Sequence, residues 1–407
     1  MVINEASRTP PPPAPAAPRG SVLPGRRALL TLGLGAAASL TLRPRTVAAP
    51  AANPGILHLP PAPPLASTAD DRDISEWRQF RDRFVTRDGR VIDSGNGGVS
   101  HSEGQGFAML LAEWCADRAA FERILGWTRD NLARPRDTLF AWSWRPHQAV
   151  AVPDNNNATD GDIAIAWALQ RAAARWSVPA WEDMAAAITQ DIVKLCTRDI
   201  AGRTVLLPGA YGFTRPNACV VNPSYYNLPA IRSLAALVPG TELRRVEADG
   251  RHILAAGRFG TWRLPPDWLH IDATTGRMTP ANGWPPRFSW DAIRVPLYLA
   301  WAGLHEAESL RAAAAFWEHA RPETLPAWAD LQTGALSPYP GHEGVRAVAA
   351  LTLASRGAGA GILRPSFPAV ATAPDYYAGA LIMLARMASM EAGRGAAAGW
   401  VPAEGAA

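Results

Sequence analysis

Cysteine is scarce in this chain of 407 residues. The three cysteines, Cys115, Cys196 and Cys219, are odd in number and widely spaced. Their spacing fits no zinc-binding pattern, and it argues against a disulfide framework because at most one bridge can form. Cys115 and Cys196 lie in helical patterns, where burial as small hydrophobic side chains is the simpler expectation, and pairing of any two cysteines stays open.

Charged residues are also sparse, at 19% of the chain, whereas hydrophobic residues make up 48%. This composition predicts a globular protein rather than a disordered one. The formal net charge of +4 comes from the N-terminus, because residues 1–49 hold six of the 40 basic residues and one of the 36 acidic ones. The remaining 34 basic and 35 acidic residues give a net charge of −1. No nucleic-acid partner is therefore predicted.

The N-terminal region lacks an apolar run of the length that a membrane span needs. Arg26 and Arg27 precede the segment ALLTLGLGAAASLTL, and small residues suited to cleavage follow in TVAAPAA. This order predicts a twin-arginine-like export signal over residues 1–49, which is removed. The alternative is a leader rich in Pro and Ala with a chance arginine pair. With the signal, the mature protein is expected in the periplasm or outside the cell, without a stable membrane span.

Beyond the leader, residues 50–68 predict a Pro-rich linker or arm, residues 69–395 a single folded domain, and residues 396–407 a flexible tail. Within the domain, apolar residues recur at three- and four-residue spacing, which is typical of helices. The predicted helices are 70–84, 103–116, 118–132, 160–176, 180–197, 224–238, 240–256, 290–304, 307–320, 342–355 and 374–391. Strand patterns are few, and short ribbons are predicted only at Arg90 to Asp93 and Arg203 to Leu207.

Several of these helices are apolar on most faces, as in GFAMLLAEW and IAIAWAL. Such helices are expected in the inner layer of a two-layer arrangement, with amphipathic helices outside. The absence of a short-period repeat disfavours a solenoid. The sequence therefore predicts an all-α toroid whose loops at one end form the functional site.

The segment DNNNATDGDIAIAWAL, from Asp154 to Leu169, combines polar residues with an apolar run. A calcium loop of the EF-hand type is excluded because Ala158, Thr159 and Ile165 stand where it needs an oxygen ligand, Gly and Glu. Thr159 or Asp160 is suited to cap the helix that follows. A cap alone does not account for the other polar residues, so a functional role and a simple cap stay equally open, and Asp162 is assigned to structural support.

A second segment, VSHSEGQGFAMLLAEW, places Ser102 and Gln105 in a capping-box pattern, with Glu103 in the first helical turn. The helix dipole favours an ionised carboxyl there, so an acid role for Glu103 requires burial or a nearby carboxylate. Gly104 and Gly106 are costly inside a helix. They are explained if something approaches this turn closely, such as a ligand.

A third segment, NGWPPRFSWDAIRVPLYLAW, places Asp291 three residues before Arg294 on one helix face, which predicts an ion pair. A cap with a surface salt bridge is the simpler interpretation of that pair alone. However, Trp284, Phe288 and Trp290 surround it in the sequence. A carboxylate in an aromatic loop is typical of a sugar-binding site, and glycoside hydrolysis needs a pair of carboxyl groups.

Seven segments together resemble glycoside hydrolase family 8, and most closely the secreted endoglucanases that accompany bacterial cellulose synthesis. They are SEGQGFAMLLA, LFAWSW, NNATDGDIAIAWAL, LLPGAYGF, NPSYY, SWDAIRVPLYLAW and DYYAGALIMLA. The resemblance covers residues 72–390. It implies an (α/α)6 barrel with short β-ribbons in its loops, a catalytic role for the domain at 69–395, and hydrolysis with inversion at the anomeric carbon.

The resemblance also implies roles for individual residues. Glu103 matches the general acid, Asp291 the general base, and Asp160 the acid that binds and helps distort the sugar ring. Tyr225 and Arg294 match neighbours that place the base and its water. The other residues expected to bind substrate are Trp142, Trp144, Trp290 and Tyr211.

The chain departs from the family pattern at two places on the helices. Gly106, Phe107 and Ala108 stand where the family has Tyr or Phe and then Gly, and Gln170 stands where a small or apolar residue is common. Both departures are expected to alter packing only.

The implied substrate is a β-1,4-glucan, the implied reaction needs no metal or organic cofactor, and association with a cellulose synthesis machinery is possible. Mixed-linkage glucan, xylan and chitosan are alternative substrates. A non-catalytic glucan-binding protein is a rival, as is an isoprenoid enzyme with an α/α toroid, although the latter is disfavoured because the sequence lacks a DDxxD motif.

Overall fold

The computed structural model describes residues 67–356 and 365–392. The predicted export signal, nearly all of the Pro-rich arm, and the tail at 396–407 lie outside these ranges. Among the described helices, none has the length and apolarity that crossing a membrane requires.

All eleven predicted helices are present. They are α1 (Asp71–Phe84), α2 (Ser102–Trp114), α3 (Arg118–Leu132), α4 (Thr159–Trp176), α5 (Pro179–Cys196), α6 (Leu228–Leu237), α7 (Leu243–Ala256), α8 (Arg294–Trp301), α9 (Glu308–Glu318), α10 (Glu343–Arg356) and α11 (Tyr376–Glu391). The two that fall furthest short of their predicted lengths are α6 and α8. Pro223–Tyr225 form a 3-10 turn before α6, and Trp290 lies in the turn that precedes α8.

The helices form two layers, as their apolar patterns predict. Successive contacts α2–α4, α4–α6, α6–α8, α8–α10, α10–α11 and α11–α2 close an inner ring, and α1, α3, α5, α7 and α9 pack outside it. Nearly every residue of α2, α8 and α11 is buried, whereas α1 and α7 bury one stripe and expose the other. This arrangement is the predicted (α/α)6 barrel.

Short antiparallel strands occupy the loops. They are β1 (Ser100–His101) with β2 (Ser143–Trp144), β3 (Thr197–Ile200) with β4 (Arg203–Leu206), the sheet β5 (Thr214–Arg215), β6 (Ala218–Val221), β7 (Leu269–Asp272) and β8 (Met278–Pro280), and β9 (Arg287–Phe288) with β10 (Ala329–Asp330). The ribbon predicted at Arg203 is confirmed. The ribbon predicted at Arg90 to Asp93 is reduced to isolated bridges, and the four-stranded sheet was not predicted.

The capping box predicted at the start of α2 is wrong. The N-cap residue is His101, and the Ser102 hydroxyl has no hydrogen-bond partner within the described residues. Gln105 instead accepts from the Val91 N–H at 2.6 Å and donates to Thr128 Oγ1 at 2.8 Å. The cap is not needed there because the Ser102 N–H already donates to the Trp142 carbonyl at the β1–β2 ribbon.

The three cysteines are buried and unpaired. Burial raises the pKa of the Cys196 thiol to about 11 and that of the Cys219 thiol to about 12. This result decides the question that the sequence left open, and the expected burial of Cys115 and Cys196 is confirmed.

Candidate active site

The N-terminal ends of three inner helices meet at one open cleft. Glu103 lies in the first turn of α2, Asp160 in the first turn of α4, and Asp291 just before α8. All three line the cleft. The structure therefore brings together the three carboxylates that the sequence singled out, although long stretches of chain separate them.

Arg294, the first residue of α8, lies among these three carboxylates. Its Nη2 donates to Asp291 Oδ1 at 2.8 Å, and its Nη1 donates to Asp160 Oδ2 at 2.9 Å and to Glu103 Oε2. The predicted ion pair with Asp291 is confirmed. It is not a surface salt bridge, because the Arg294 side chain is only 1% exposed and is shared with two further acids.

Asp160 and Glu103 behave as one unit. Burial raises the pKa of Asp160 well above its usual range, and the field of Arg294 opposes that shift only in part. The charge of Glu103 and a hydrogen bond between the two carboxyl groups raise the pKa of Asp160 further. The raised pKa of Asp160 therefore favours a proton on this pair of carboxyl groups beside the cleft.

Glycines let α2 and α4 approach closely enough to make this pair. A Cβ at position 161 would lie 2.7 Å from the Glu103 nitrogen and would collide with Ser102 Oγ. A Cβ at Gly106 would lie 2.7 Å from the Ala164 Cβ, and one at Gly104 would lie 2.9 Å from the hydroxyl of a tyrosine in α11. The predicted close approach to Gly104 and Gly106 is confirmed, but the neighbouring helices make it, and not a ligand.

Asp162 has the structural role assigned to it. Its carboxylate accepts from the Phe140 N–H at 2.9 Å and from Asn157 Nδ2 at 2.8 Å. The side chain is fully buried, and desolvation raises its pKa to about 7. These bonds tie the loop before β2 to the start of α4. The cap predicted at Thr159 is not formed, because its hydroxyl donates to the Leu207 carbonyl instead.

Asp154 and Asn156, from the same polar segment as Asp160 and Asp162, help to form the wall of the cleft. Asp154 accepts from Trp142 Nε1 at 3.0 Å and from the Tyr211 hydroxyl at 3.1 Å. Asn156 donates to the Tyr211 carbonyl at 2.9 Å, and its own carbonyl accepts from the Trp142 N–H. Trp142 lines the cleft, and Tyr211, which is 52% exposed, lies at its rim beside Asp154.

Two of the expected aromatic residues have firm positions near the carboxylates. Trp290 lines the cleft, stacks on His342 with ring centroids 5.1 Å apart, and accepts a hydrogen bond from the Tyr377 hydroxyl at its carbonyl. The Tyr225 ring faces the Arg294 guanidinium at 5.8 Å, and burial raises the pKa of its phenol well above the usual range.

Trp144 is not among the described residues that line the cleft. Its ring packs edge-on against Trp127 at 5.7 Å and under the Arg90 guanidinium at 4.4 Å.

Several cleft residues were missed by the sequence reasoning. Trp268 lines the cleft and stacks between Phe213, at 5.9 Å, and Trp284, at 4.9 Å. The loops at the ends of the four-stranded sheet carry these rings, so Phe213 and Trp268 were missed together with the sheet. The pair of Asp93 and His101, 3.3 Å apart, also lines the cleft beside Glu103.

Asp267 is the other residue that was missed. It immediately precedes Trp268, is 9% exposed, and accepts hydrogen bonds from the segment that carries Asp291. Burial, followed by the charge of Asp291, raises the pKa of Asp267 to about 7. The motif LPPDW could have indicated this residue, because its acid stands between two prolines and an aromatic residue of the cleft.

Within the described residues, no group of three or more His, Cys, Asp or Glu side chains is arranged to hold a metal ion. The positive charge among the three cleft carboxylates is that of Arg294. The arrangement offers a carboxyl pair with a raised pKa on one side, a second carboxyl group, that of Asp291, on the other, and aromatic walls. These are the groups that acid–base cleavage of a glycosidic bond requires.

Comparison with known proteins agrees with this chemistry. The family model of glycosyl hydrolases family 8 matches residues 64–391. A probable endoglucanase from Novacetimonas hansenii is 44% identical over 328 residues, which are 80% of this chain and 94% of that protein. An endoglucanase from Cellulomonas uda is 42% identical over 278 residues, 68% of this chain and 77% of its own. The solved structure of an endo-β-1,4-glucanase from Acetobacter xylinum has a TM-score of 0.74 and 43% identity, and the match covers 79% of this chain and 99% of that one. The chain therefore belongs to glycosyl hydrolase family 8.

Proposed function

We propose that the protein is an endo-β-1,4-glucanase that hydrolyses β-1,4-glucan with inversion of configuration at the anomeric carbon. The observation that carries this proposal is the single buried arginine that holds Glu103, Asp160 and Asp291 in one open, aromatic-walled cleft. The relatives at 42–44% identity are named as endoglucanases, and these names indicate a glucan as the substrate.

Glu103 is the general acid in this mechanism. It donates a proton to the glycosidic oxygen as the bond from that oxygen to the anomeric carbon breaks. The helix dipole at the start of α2 disfavours a protonated Glu103. The hydrogen bond to Asp160 and the burial that raises the pKa of Asp160 oppose that effect and keep a proton on the pair.

Asp291 is the general base. It takes a proton from a water molecule on the opposite face of the sugar ring, and the water oxygen bonds to the anomeric carbon as the leaving oxygen departs. Inversion by this route requires the two carboxyl groups to be about 6.5–9.5 Å apart, so that the water fits between Asp291 and the ring. Arg294 holds Asp291 ionised and in place.

The walls of the cleft support a β-linked glycan as the substrate. Trp142 and Trp290 line the cleft with their indole rings, and the flat faces of β-linked glucosyl units are apolar enough to stack on such rings. Tyr225 and Tyr211 are proposed to contribute hydroxyl contacts near the base and at the rim. Mixed-linkage glucan and xylan would use the same stacking, and chitosan would call for more acids along the cleft.

The test compares the wild type with Glu103→Gln and Asp291→Asn on carboxymethylcellulose. Each variant is expected to lose about 10²–10⁴-fold in the rate of reducing-sugar release, with an unchanged melting temperature. Glu122→Gln, on the exposed face of α3, is the matched control and should keep wild-type activity. Full activity of the Glu103→Gln variant would contradict the assignment, and glucan binding without hydrolysis by the wild type would favour the non-catalytic rival.

Product analysis on cello-oligosaccharides separates the remaining alternatives. Inversion predicts that the first product from the β-linked substrate is the α-anomer, which proton NMR detects before mutarotation. Cleavage inside a hexasaccharide supports the endo mode. Faster turnover of xylo- or chito-oligosaccharides than of cello-oligosaccharides would reassign the substrate.

An extracytoplasmic location and association with cellulose synthesis are further parts of the proposal. The support is the Arg26–Arg27 motif with its apolar segment, together with a polymer substrate that is too large to enter a cell. Replacement of both arginines by lysine should retain the full chain in the cytosolic fraction, and unimpaired export of that variant would argue against the signal.

A further inference from the structure

Asp267 accepts hydrogen bonds almost entirely from the turn that carries Asp291. Its Oδ1 accepts from the N–H groups of Ser289 at 3.1 Å, Asp291 at 3.2 Å and Ala292 at 2.8 Å. Its Oδ2 accepts from Ser289 Oγ at 2.7 Å. One buried side chain therefore receives three backbone donors and one hydroxyl donor from three residues of the segment 289–292.

Three of these four hydrogen bonds satisfy backbone N–H groups in the turn before α8, as a helix cap would. No side-chain cap is formed at the N-cap residue of α8, so the amides of the preceding turn depend on Asp267 for a strong acceptor. Asp267 is itself fixed, because its N–H donates to the Arg287 carbonyl at 2.8 Å. The Asp291 main chain is thus held from behind by Asp267, while its carboxylate is held in front by Arg294.

We propose that Asp267 is a positioning residue for the reaction, fixing the Asp291 backbone so that the carboxylate faces the attacking water. This inference rests on the proposed function of Asp291 as the general base. The carboxylate of Asp267 is directed into the turn, and Asp267 is not among the described residues that line the cleft. It therefore acts through Asp291 and not on the substrate.

The electrostatics of the turn agree with this role. Burial and the charge of Asp291 raise the pKa of Asp267 to about 7, while its hydrogen bonds from Ser289 and Ala292 lower that pKa. Asp291 in turn is paired with Arg294. A second acid so close to a base is unfavourable unless its bonds have a structural purpose, and holding the turn is such a purpose.

The experiment compares Asp267→Ala, Asp267→Asn and Asp291→Ala on a soluble cello-oligosaccharide, with and without added sodium azide. Azide is a small nucleophile that needs no deprotonation, so it replaces the water that a missing base can no longer activate. We expect Asp267→Ala to lower kcat by about 100-fold with little change in KM, because a small displacement of a reacting group has that effect. Asp267→Asn keeps an oxygen acceptor for the three amides, so its kcat should fall by only about 3- to 10-fold.

Azide should accelerate Asp291→Ala and leave both Asp267 variants unchanged. Rescue of an Asp267 variant by azide would overturn the proposal, because Asp267 would then be the base. An unchanged kcat in Asp267→Ala, or a loss in either variant that falls on KM, would also overturn it. If Asp267→Ala does not fold, a loss of kcat in Asp267→Asn as large as that in Asp291→Ala would overturn it, because Asn retains the acceptor. An inactive wild type or an active Asp291→Ala protein would instead refute the proposed function.

Discussion

At the scale of single residues, Arg294 shows how one cation organises a site with more negative than positive charge. It faces three carboxylates, so full ionisation of all three would leave two uncompensated charges in a mostly buried place. The raised pKa of Asp160 relieves this imbalance, since a proton on the pair of Asp160 and Glu103 removes one charge. The planar guanidinium suits this task because its donors diverge in fixed directions.

Substitution of Arg294 by lysine should remove most of the activity. An ammonium group is compact and cannot reach Asp291 on one side and both other acids on the other. We expect kcat to fall by more than about 100-fold, since all three acids lose their positions. Replacement by methionine should in addition cost about 3–5 kcal/mol of folding stability, because buried carboxylates then lack a partner. Kinetics and calorimetric unfolding measure the two effects.

Arg118 provides the matched control for this prediction. It forms an ion pair with Glu122 at 2.8 Å, but both side chains are about half exposed on α3. Arg118→Ala should change stability by less than about 1 kcal/mol and leave kcat unchanged. If Arg118→Ala lowered kcat and stability as much as the substitutions of Arg294 do, burial would not explain the importance of Arg294.

At the scale of secondary-structure elements, the packing of α2 against α4 decides where Glu103 lies. Gly161 in α4 meets the Ser102–Glu103 backbone, and Gly106 in α2 meets Ala164 and its neighbour. Each glycine removes a side chain at a crossing point and lets two helix N-termini converge. The departure from the family pattern after Gly106 lies on this same helix, and Phe107 is fully buried there, as the expected packing role requires.

Gly161→Ala tests this convergence. The new methyl group would collide with Ser102 Oγ and lie 2.7 Å from the Glu103 nitrogen, so the two helix ends must separate. A shift of that kind should break the carboxyl pair and lower kcat by about 10- to 100-fold, with a stability loss of about 1–3 kcal/mol from overpacking.

Gly126→Ala is the corresponding control inside α3. A Cβ at that position meets nothing within 4 Å, so the substitution should stabilise the fold by about 0.5–1 kcal/mol through helix propensity. Activity should stay at the wild-type level. A melting temperature that falls in Gly126→Ala as far as in Gly161→Ala would show that the close contact is not the cause.

The elements also show which parts of the fold the sequence reveals. All eleven helices follow from apolar spacing, because each helix carries its pattern within its own residues. The four-stranded sheet does not, since β6 and β7 pair across α6 and α7 and each strand has only four residues. A pattern of that length is indistinguishable from a loop until its distant partner is known.

At the scale of the whole molecule, stability should depend on pH through the buried acids. Asp162 has a pKa of about 7 in the fold, against about 3.9 for an unfolded aspartate. Between these two values the folded state binds more protons than the unfolded chain, so the contribution of Asp162 to stability is full at low pH and declines as the pH rises to about 7. The raised pKa of Asp267 acts in the same direction.

Asp162→Asn isolates this contribution. The variant should be less stable overall, because an amide has an acceptor oxygen at only one of the two positions that receive the Phe140 N–H and the Asn157 amide hydrogen. However, its free energy of unfolding should vary less steeply than that of the wild type between about pH 4 and pH 7. Denaturant unfolding across this range measures the slope, and an unchanged slope would contradict the raised pKa of Asp162.

The sequence by itself determined the helical layers, the family resemblance and the acids of the cleft. These features reside in local spacing and in short motifs, so the residues that carry them are adjacent in the chain. Only the tertiary structure decided that Arg294 serves three acids, that Trp268 rather than Trp144 faces the cleft, and that Asp267 holds the turn of Asp291. Each of these depends on contacts between segments far apart in sequence, and such contacts exist only after the barrel has closed.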